Sequence, residues 1–203
     1  LFTTQYVRYS LGLRPDVMAL HTSRLTTPDY RQTVARVFPA LRPIESPGDD
    51  FLRAFVEANA GAFPLFSNEP LPVGADWFWV PHGLTYRLVE KGQLPSVDQM
   101  YSENVDIWKT FADPTRGILS RYNHLMLADV ADVYAKARVA FGKTLIKAGK
   151  LTEAKEEFTR AVALGGDTQT SDAYTYAGLT ELFLGNCGPA LDAFVQARST
   201  SVV

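Results

Sequence analysis

The sequence predicts two architectures in one chain: an α/β domain over residues 1–95, with a small, partly parallel sheet and flanking helices, and an all-α array of helical hairpins over residues 96–203. Three observations carry this prediction. Ten of the twelve prolines lie in residues 1–100, while Lys91 is the only one of seven lysines found there. Apolar residues switch from short runs bounded by Pro and Gly to recurrences at steps of three and four. Finally, residues of the second half repeat at a fixed offset of 36. The boundary falls at 91–103, around Lys-Gly-Gln-Leu-Pro-Ser. Net charge does not mark it, with 9 basic against 10 acidic residues before and 11 against 12 after.

In the first half, Val17-Met18-Ala19-Leu20 follows Arg14-Pro15-Asp16 and suits a strand buried on both faces. Thr27-Pro28-Asp29 supplies an N-cap, a first-turn proline and an acid near the helix N-terminus. Tyr30, Val34 and Phe38 then form one apolar stripe. A second helix begins at Asp49-Asp50, which act there as caps, buries Phe51, Leu52, Phe55, Val56 and Ala58, and stops at Gly61. Pro64-Leu65-Phe66, Phe78-Trp79-Val80 and Thr85 to Val89 read as short strands, broken by Pro81 and Gly83. Helices between strands imply parallel pairing for part of the sheet.

In the second half, Asp113-Pro114 opens a long helix whose buried stripe is Leu127, Val130, Tyr134, Ala137, Phe141, Leu145 and Ala148, ending at Gly149. Ala154-x-x-x-Phe158-x-x-Ala161 then recurs as Ala190-x-x-x-Phe194-x-x-Ala197, and Gly142/Gly178 and Gly149/Gly185 share the offset of 36. Small residues let paired helices approach while Phe fills the space between pairs. The pattern resembles the tetratricopeptide repeat, over about 135–168 and 171–203. It departs from that family in a Gly165-Gly166-Asp167 turn lengthened by two residues, in lacking the family's proline, and in Arg138, which replaces a common aromatic that Tyr174 supplies in the second unit. In that family the first helix of each unit lines a concave binding face. The resemblance implies that Lys136, Val139, Lys143, Ile146 and Lys147, then Asp172, Thr175, Leu179, Leu182 and Phe183, line it here. Three lysines at helical spacing suit an acidic peptide; the alternative is a solvated helix face.

Chemistry is sparse. The formal net charge of −2 removes the electrostatic basis for nucleic-acid binding, and no apolar stretch is long enough to span a bilayer. A single cysteine, Cys187, excludes an internal disulfide; its turn position reads as a small buried hydrophobe. No Gly-x-Gly pair, metal-ligand spacing of His21, His82 and His124, or Gly-x-Ser-x-Gly elbow occurs, so no catalytic residue, metal site or cofactor is expected. Gly142-Lys143-Thr144 matches the end of a phosphate-binding loop only by chance, since Ala137 stands where the first glycine belongs. His21 follows a proposed strand, a common ligand position in α/β folds, but a structural histidine bonding to a neighbouring loop is the better account. Trp77 and Trp79, in the most aromatic segment, offer a stacking platform or partner site, or else a buried strand.

Tyr6-Val7-Arg8-Tyr9-Ser10-Leu11-Gly12-Leu13-Arg14-Pro15-Asp16-Val17, with Pro28-Asp29-Tyr30, Phe38–Leu41 and Pro81–Leu88, resembles the soluble extracytoplasmic region of a bacterial multi-pass membrane family related to protein O-mannosyltransferases. Its members often continue into tetratricopeptide-like helices. The family's glycosyl transfer is attributed to acidic residues of its membrane region, so none of its catalytic positions carries over. The chain begins at Leu1 without a basic leader and reads as an excised or processed piece. The resemblance implies an extracytoplasmic, periplasmic location and protein partners in a membrane complex, with membrane association through those partners or an upstream region. Two functions follow as expectations: a non-catalytic scaffold or accessory subunit, or the soluble domain of a membrane-embedded glycosyltransferase that helps bind acceptor or lipid-linked sugar.

Overall fold

The computed structural model describes residues 10–42, 48, 50–116, 127–165 and 170–200. It holds seven α-helices and a three-stranded antiparallel sheet among these residues. Two compact units emerge: Leu1–Leu65 with Pro70–Phe78, and Phe66–Glu69 with Trp79–Val203. The compositional boundary at 91–103 falls inside the second unit.

The first unit is helical. A 3-10 turn, Thr22–Thr26, leads into α1 (Pro28–Val37), where Pro28 and Asp29 occupy the first turn as the sequence predicts. Thr27 does not cap with its side chain; its hydroxyl donates back to the Arg24 carbonyl at 2.7 Å. Leu25, Val34, Phe38 and Leu41 form a buried cluster, covered by Met18, Leu20, Tyr30 and the Phe51, Leu52 and Phe55 side chains of α2 (Phe51–Ala60). Asn59 is 1% exposed and closes this cluster, accepting from the Arg42 N–H at 2.9 Å and donating to the Phe55 carbonyl at 2.8 Å. Asp50 occupies the N-cap of α2 without a side-chain bond, and Asp49 lies outside the described residues.

Two expectations are corrected here. Val17–Leu20 is not a strand: Val17 is exposed while Met18 and Leu20 lay their side chains on the α1 cluster. Four apolar residues in a row fit an extended coil as well as a strand, and a strand requires a ladder partner. Without that strand, the partly parallel sheet disappears. The sheet is β1 (Phe66–Ser67), β2 (Trp77–His82) and β3 (Thr85–Glu90), in the order β1-β3-β2. Phe66 pairs with Arg87 and Ser67 with Tyr86, antiparallel. Only two residues join β2 to β3, a connection that antiparallel strands alone can make.

Pro81 does not break β2, because β2 is an edge strand and needs no N–H there on its outer side. Gly83, at φ 62°, begins the two-residue hairpin turn, where a positive φ suits glycine. After the sheet comes α3 (Val97–Thr110), opened by a reciprocal capping box: the Gln99 N–H donates to Ser96 Oγ at 3.2 Å and the Ser96 N–H to Gln99 Oε1 at 2.9 Å. Asn104, 1% exposed, reaches from α3 to the hairpin. It accepts from the Gly83 N–H and donates to the Pro81 and Met100 carbonyls, each at 2.9 Å.

The remainder is two helical hairpins, α4 (Leu127–Lys147) with α5 (Leu151–Leu164) and α6 (Thr170–Phe183) with α7 (Cys187–Thr200). Asp113-Pro114 forms a turn, with Asp113 accepting from the Thr115 N–H at 2.9 Å, and residues 117–126 between it and α4 lie outside the described residues. The core row of α4 is Ala131, Ala135, Val139, Gly142 and Leu145 together with Phe141, so Val130, Tyr134 and Ala137 of the expected stripe are only partly buried and Ala148 is exposed. The small residues make the closest approach to neighbouring helices and take the centre of the stripe.

The offset of 36 is a repeat of geometry. Gly149 and Gly185 both have left-handed φ values, 76° and 82°, and the next N–H reaches back five residues in each, Lys150 to Leu145 at 2.9 Å and Asn186 to Glu181 at 2.8 Å. A Cβ on Gly142 would stand 2.6 Å from the Phe158 ring, and one on Gly178 would stand 2.7 Å from that of Phe194. Gly142→Ala is expected to lower stability in urea by up to about 2 kcal/mol, since overpacking costs about 1–3 kcal/mol and Ala returns about 1 kcal/mol of helix propensity. Phe194 is partly exposed and has room to swing outward, so Gly178→Ala is expected to be near neutral. Equal effects at both positions would show that the two rings are equally confined.

Candidate interaction surface

The second unit carries the surface features worth weighing. Beside the hairpin, a cavity of about 80 Å³ is lined by Pro81, Leu84, Tyr86, Val133, Lys136 and Ala140 among others. Pockets for small-molecule ligands run to roughly 300–1,000 Å³. This one admits a single side chain. His82, half-buried next to it in sequence, tilts against Phe66 with ring centroids 5.2 Å apart. Burial and then the Arg87 charge push its imidazole below the usual value. His21 gives its N–H to the Tyr30 hydroxyl at 2.9 Å and holds Ser23 Oγ at its ring at 2.9 Å, a structural use. His124 lies outside the described residues, as do Tyr6–Tyr9 and the turn residues Gly166 and Asp167. Among the described residues, no three His, Cys, Asp or Glu side chains group as a metal site, and no helix is long and apolar enough to cross a membrane.

The residues expected on the concave helical face separate into three kinds. Val139 is 2% exposed and belongs to the core, so it offers nothing to a partner; Ile146 is packed against the same core. Lys143 is committed within the array: its ammonium lies 3.2 Å from Asp172 and 4.1 Å from the centre of the Tyr176 ring, joining α4 to α6. Thr175 turns its hydroxyl to the Ser171 carbonyl of its own helix at 2.9 Å, and Leu179 is partly buried. Lys136 and Lys147 are exposed, with no carboxylate partner among the described residues, and Leu182 and Phe183 at the end of α6 are 45% and 62% exposed. Trp77 and Trp79 stand two apart on β2, hence on one face, and both are partly buried. Gly142-Lys143-Thr144 lies inside α4, toward its C-terminal end, with Gly142 against Phe158, which leaves no phosphate loop.

Arg138, the departure from the expected aromatic, stacks its guanidinium 3.5 Å from the Trp108 ring centre and pairs with Glu157 at 2.6 Å. Glu157 is 1% exposed and takes a second cation, Arg160. The interface between α5 and α6 is completed by Phe158 stacked on Tyr176 at 5.8 Å and by Lys155 bound to Glu181 at 2.6 Å. Hydrogen bonds from Lys155 and Asn186 hold the Glu181 carboxyl below its ordinary value.

The α6–α7 hairpin adds exposed apolar residues that the concave-face reading did not include: Leu184, Leu191 and Val195, the last two 64% and 56% exposed. The sequence held a signal for them, since at the repeat offset Leu191 stands in for Lys155 and Val195 for Thr159. Cys187, expected to be buried, is exposed at the first residue of α7. No protein-family profile, curated protein or solved structure matches this chain.

Proposed function

We propose that this chain is a non-catalytic extracytoplasmic protein-interaction module, a scaffold or accessory subunit of a membrane-protein complex, built on a short tetratricopeptide-like array. The observation that carries the reading is the exposure of Leu182, Phe183, Leu184, Leu191 and Val195 on one hairpin. Apolar exposure of this kind on one hairpin suits a partner site. Lys136 and Lys147 add cationic positions with no carboxylate bound to them among the described residues. An acidic partner segment fits them.

The extracytoplasmic placement rests on the Gly12-Leu13-Arg14-Pro15-Asp16-Val17 string. Its Arg14–Val17 part is an exposed turn in which the Arg14 guanidinium grips Asp16 at 2.7 Å and the Val17 N–H returns to the Arg14 carbonyl at 3.1 Å. The same string favours a second reading, the soluble domain of a membrane-embedded glycosyltransferase. A complete gene with many hydrophobic spans upstream selects that reading, whereas a signal peptide or single anchor selects the accessory subunit.

The lysine surface is tested by native co-purification with mass spectrometry, followed by affinity measurement on the recovered partner. Lys136→Glu with Lys147→Glu is expected to weaken binding about tenfold, the effect of about 1.4 kcal/mol shared between two exposed charges. Lys143→Glu is a poorer probe, because it sets a carboxylate opposite Asp172. Unchanged affinity in the double variant leaves the lysines as a solvated face and sinks this surface.

A further inference from the structure

Strand β1 is two residues long, and its ladder to β3 consists of Phe66 opposite Arg87 and Ser67 opposite Tyr86. So short a ladder holds little by itself. Phe66 adds a side-chain contact: its ring tilts against the imidazole of His82 on β2, with centroids 5.2 Å apart, while half of its own surface stays in water. β1 thus reaches across β3 and is fastened at one ring. His82 cannot leave that ring by moving its strand, because Asn104 bonds to the Pro81 carbonyl on one side of it and the Gly83 N–H on the other, each at 2.9 Å.

Among the described residues, two charges face this imidazole. Arg87 comes from β3 and is the strand partner of Phe66; Glu103 comes from α3 and pairs with Arg87 at 3.2 Å. β1 contributes only the uncharged ring of Phe66. With Glu103 already bound to Arg87, a charged His82 gains little from it. Burial opposes the proton more than the Arg87 charge does, and Phe66 supplies part of that burial. From this arrangement we propose that β1 is an acid-released strap: a proton on His82 detaches Phe66–Ser67 and bares the edge of β3. This goes beyond the interaction-module reading and does not depend on it. A group that resists its proton while β1 is in place gives that attachment full strength above about pH 6.5 and withdraws it as pH falls through the imidazole titration. The edge so uncovered, around Tyr86 and Arg87, presents main-chain donors and acceptors to a further strand.

The test is amide hydrogen exchange on the full chain, followed by NMR and read as protection factors so that the intrinsic pH dependence of exchange is removed. Between about pH 7.5 and about pH 5, the amides shared by β1 and β3 are expected to lose about threefold or more of their protection, while Val80 and Val89 of the hairpin core keep theirs. His82→Phe keeps a ring against Phe66 with no proton to gain, and is expected to hold β1 equally at both pH values. His82→Gln, which lacks the ring, is expected to protect β1 weakly at both. Unchanged β1 protection in the wild-type chain overturns the strap. So does an equal loss at Val80 and Val89, which is unfolding of the whole unit. A loss that persists in His82→Phe also overturns it and assigns the release to a carboxylate such as Glu103.

Discussion

Replacing Glu157 by Ala is expected to lower the unfolding free energy by about 3–5 kcal/mol, as measured by urea denaturation, because it strands a buried cation. Arg138 has 14% of its side chain exposed and is held flat against Trp108, so it cannot swing into water to recover its hydration. Burial already pulls its guanidinium below the ordinary value, and the Glu157 charge is what opposes that pull. Arg160, the other partner, is about half exposed and is free to rehydrate, so the cost belongs to Arg138. The companion variant Arg138→Met with Glu157→Met removes both charges and keeps the volume. It is expected to recover most of the loss, because a well-packed apolar pair commonly replaces a buried ion pair without penalty. If Glu157→Ala alone costs under about 1 kcal/mol, the pair behaves as a surface bridge and the account of Arg138 fails.

The second large effect is expected at Asn104. Asn104→Leu keeps roughly the same size but removes one acceptor and two donor bonds from a side chain that is 1% exposed. The Gly83 N–H and the Pro81 carbonyl, both in buried residues at the hairpin, are then left unpaired. Each orphaned buried group costs about 1–3 kcal/mol, and the Met100 carbonyl retains its helical bond. Loss of the clamp frees the tip of β2 and β3, so hydrogen exchange at Gly83 is expected to accelerate before global unfolding does. Asn104→Asp serves as a second variant: it keeps the acceptor for Gly83 and loses the donor to Pro81. If Asn104→Leu leaves both stability and Gly83 exchange unchanged, the hairpin is held by its apolar contacts instead, chiefly Val80 and Val89 in the core.

Elements whose signal is local were legible in the residues. Pro28 and Asp29 start α1 because a missing N–H and a negative charge suit a helix N-terminus wherever it lies. Gly149 and Gly185 end their helices because a positive φ is a property of the residue itself. Ser96 and Gln99 carry an equally local signature for α3, although apolar periodicity alone does not single that helix out. Val17–Leu20 was ambiguous for the opposite reason: an apolar run states that side chains will be buried, not what the backbone pairs with.

By itself, the sequence determined the repeat offset of 36, the helical second half and the positions of the turns at Gly149 and Gly185. These follow from spacing and residue size, which each repeat carries within itself. Only the tertiary structure decided which members of the lysine stripe are engaged, that Arg138 serves Trp108 and Glu157, that Val139 is closed away, and that Leu191 and Val195 are left open. Those outcomes depend on which neighbouring element covers a given face. A helix's own periodicity does not contain that information.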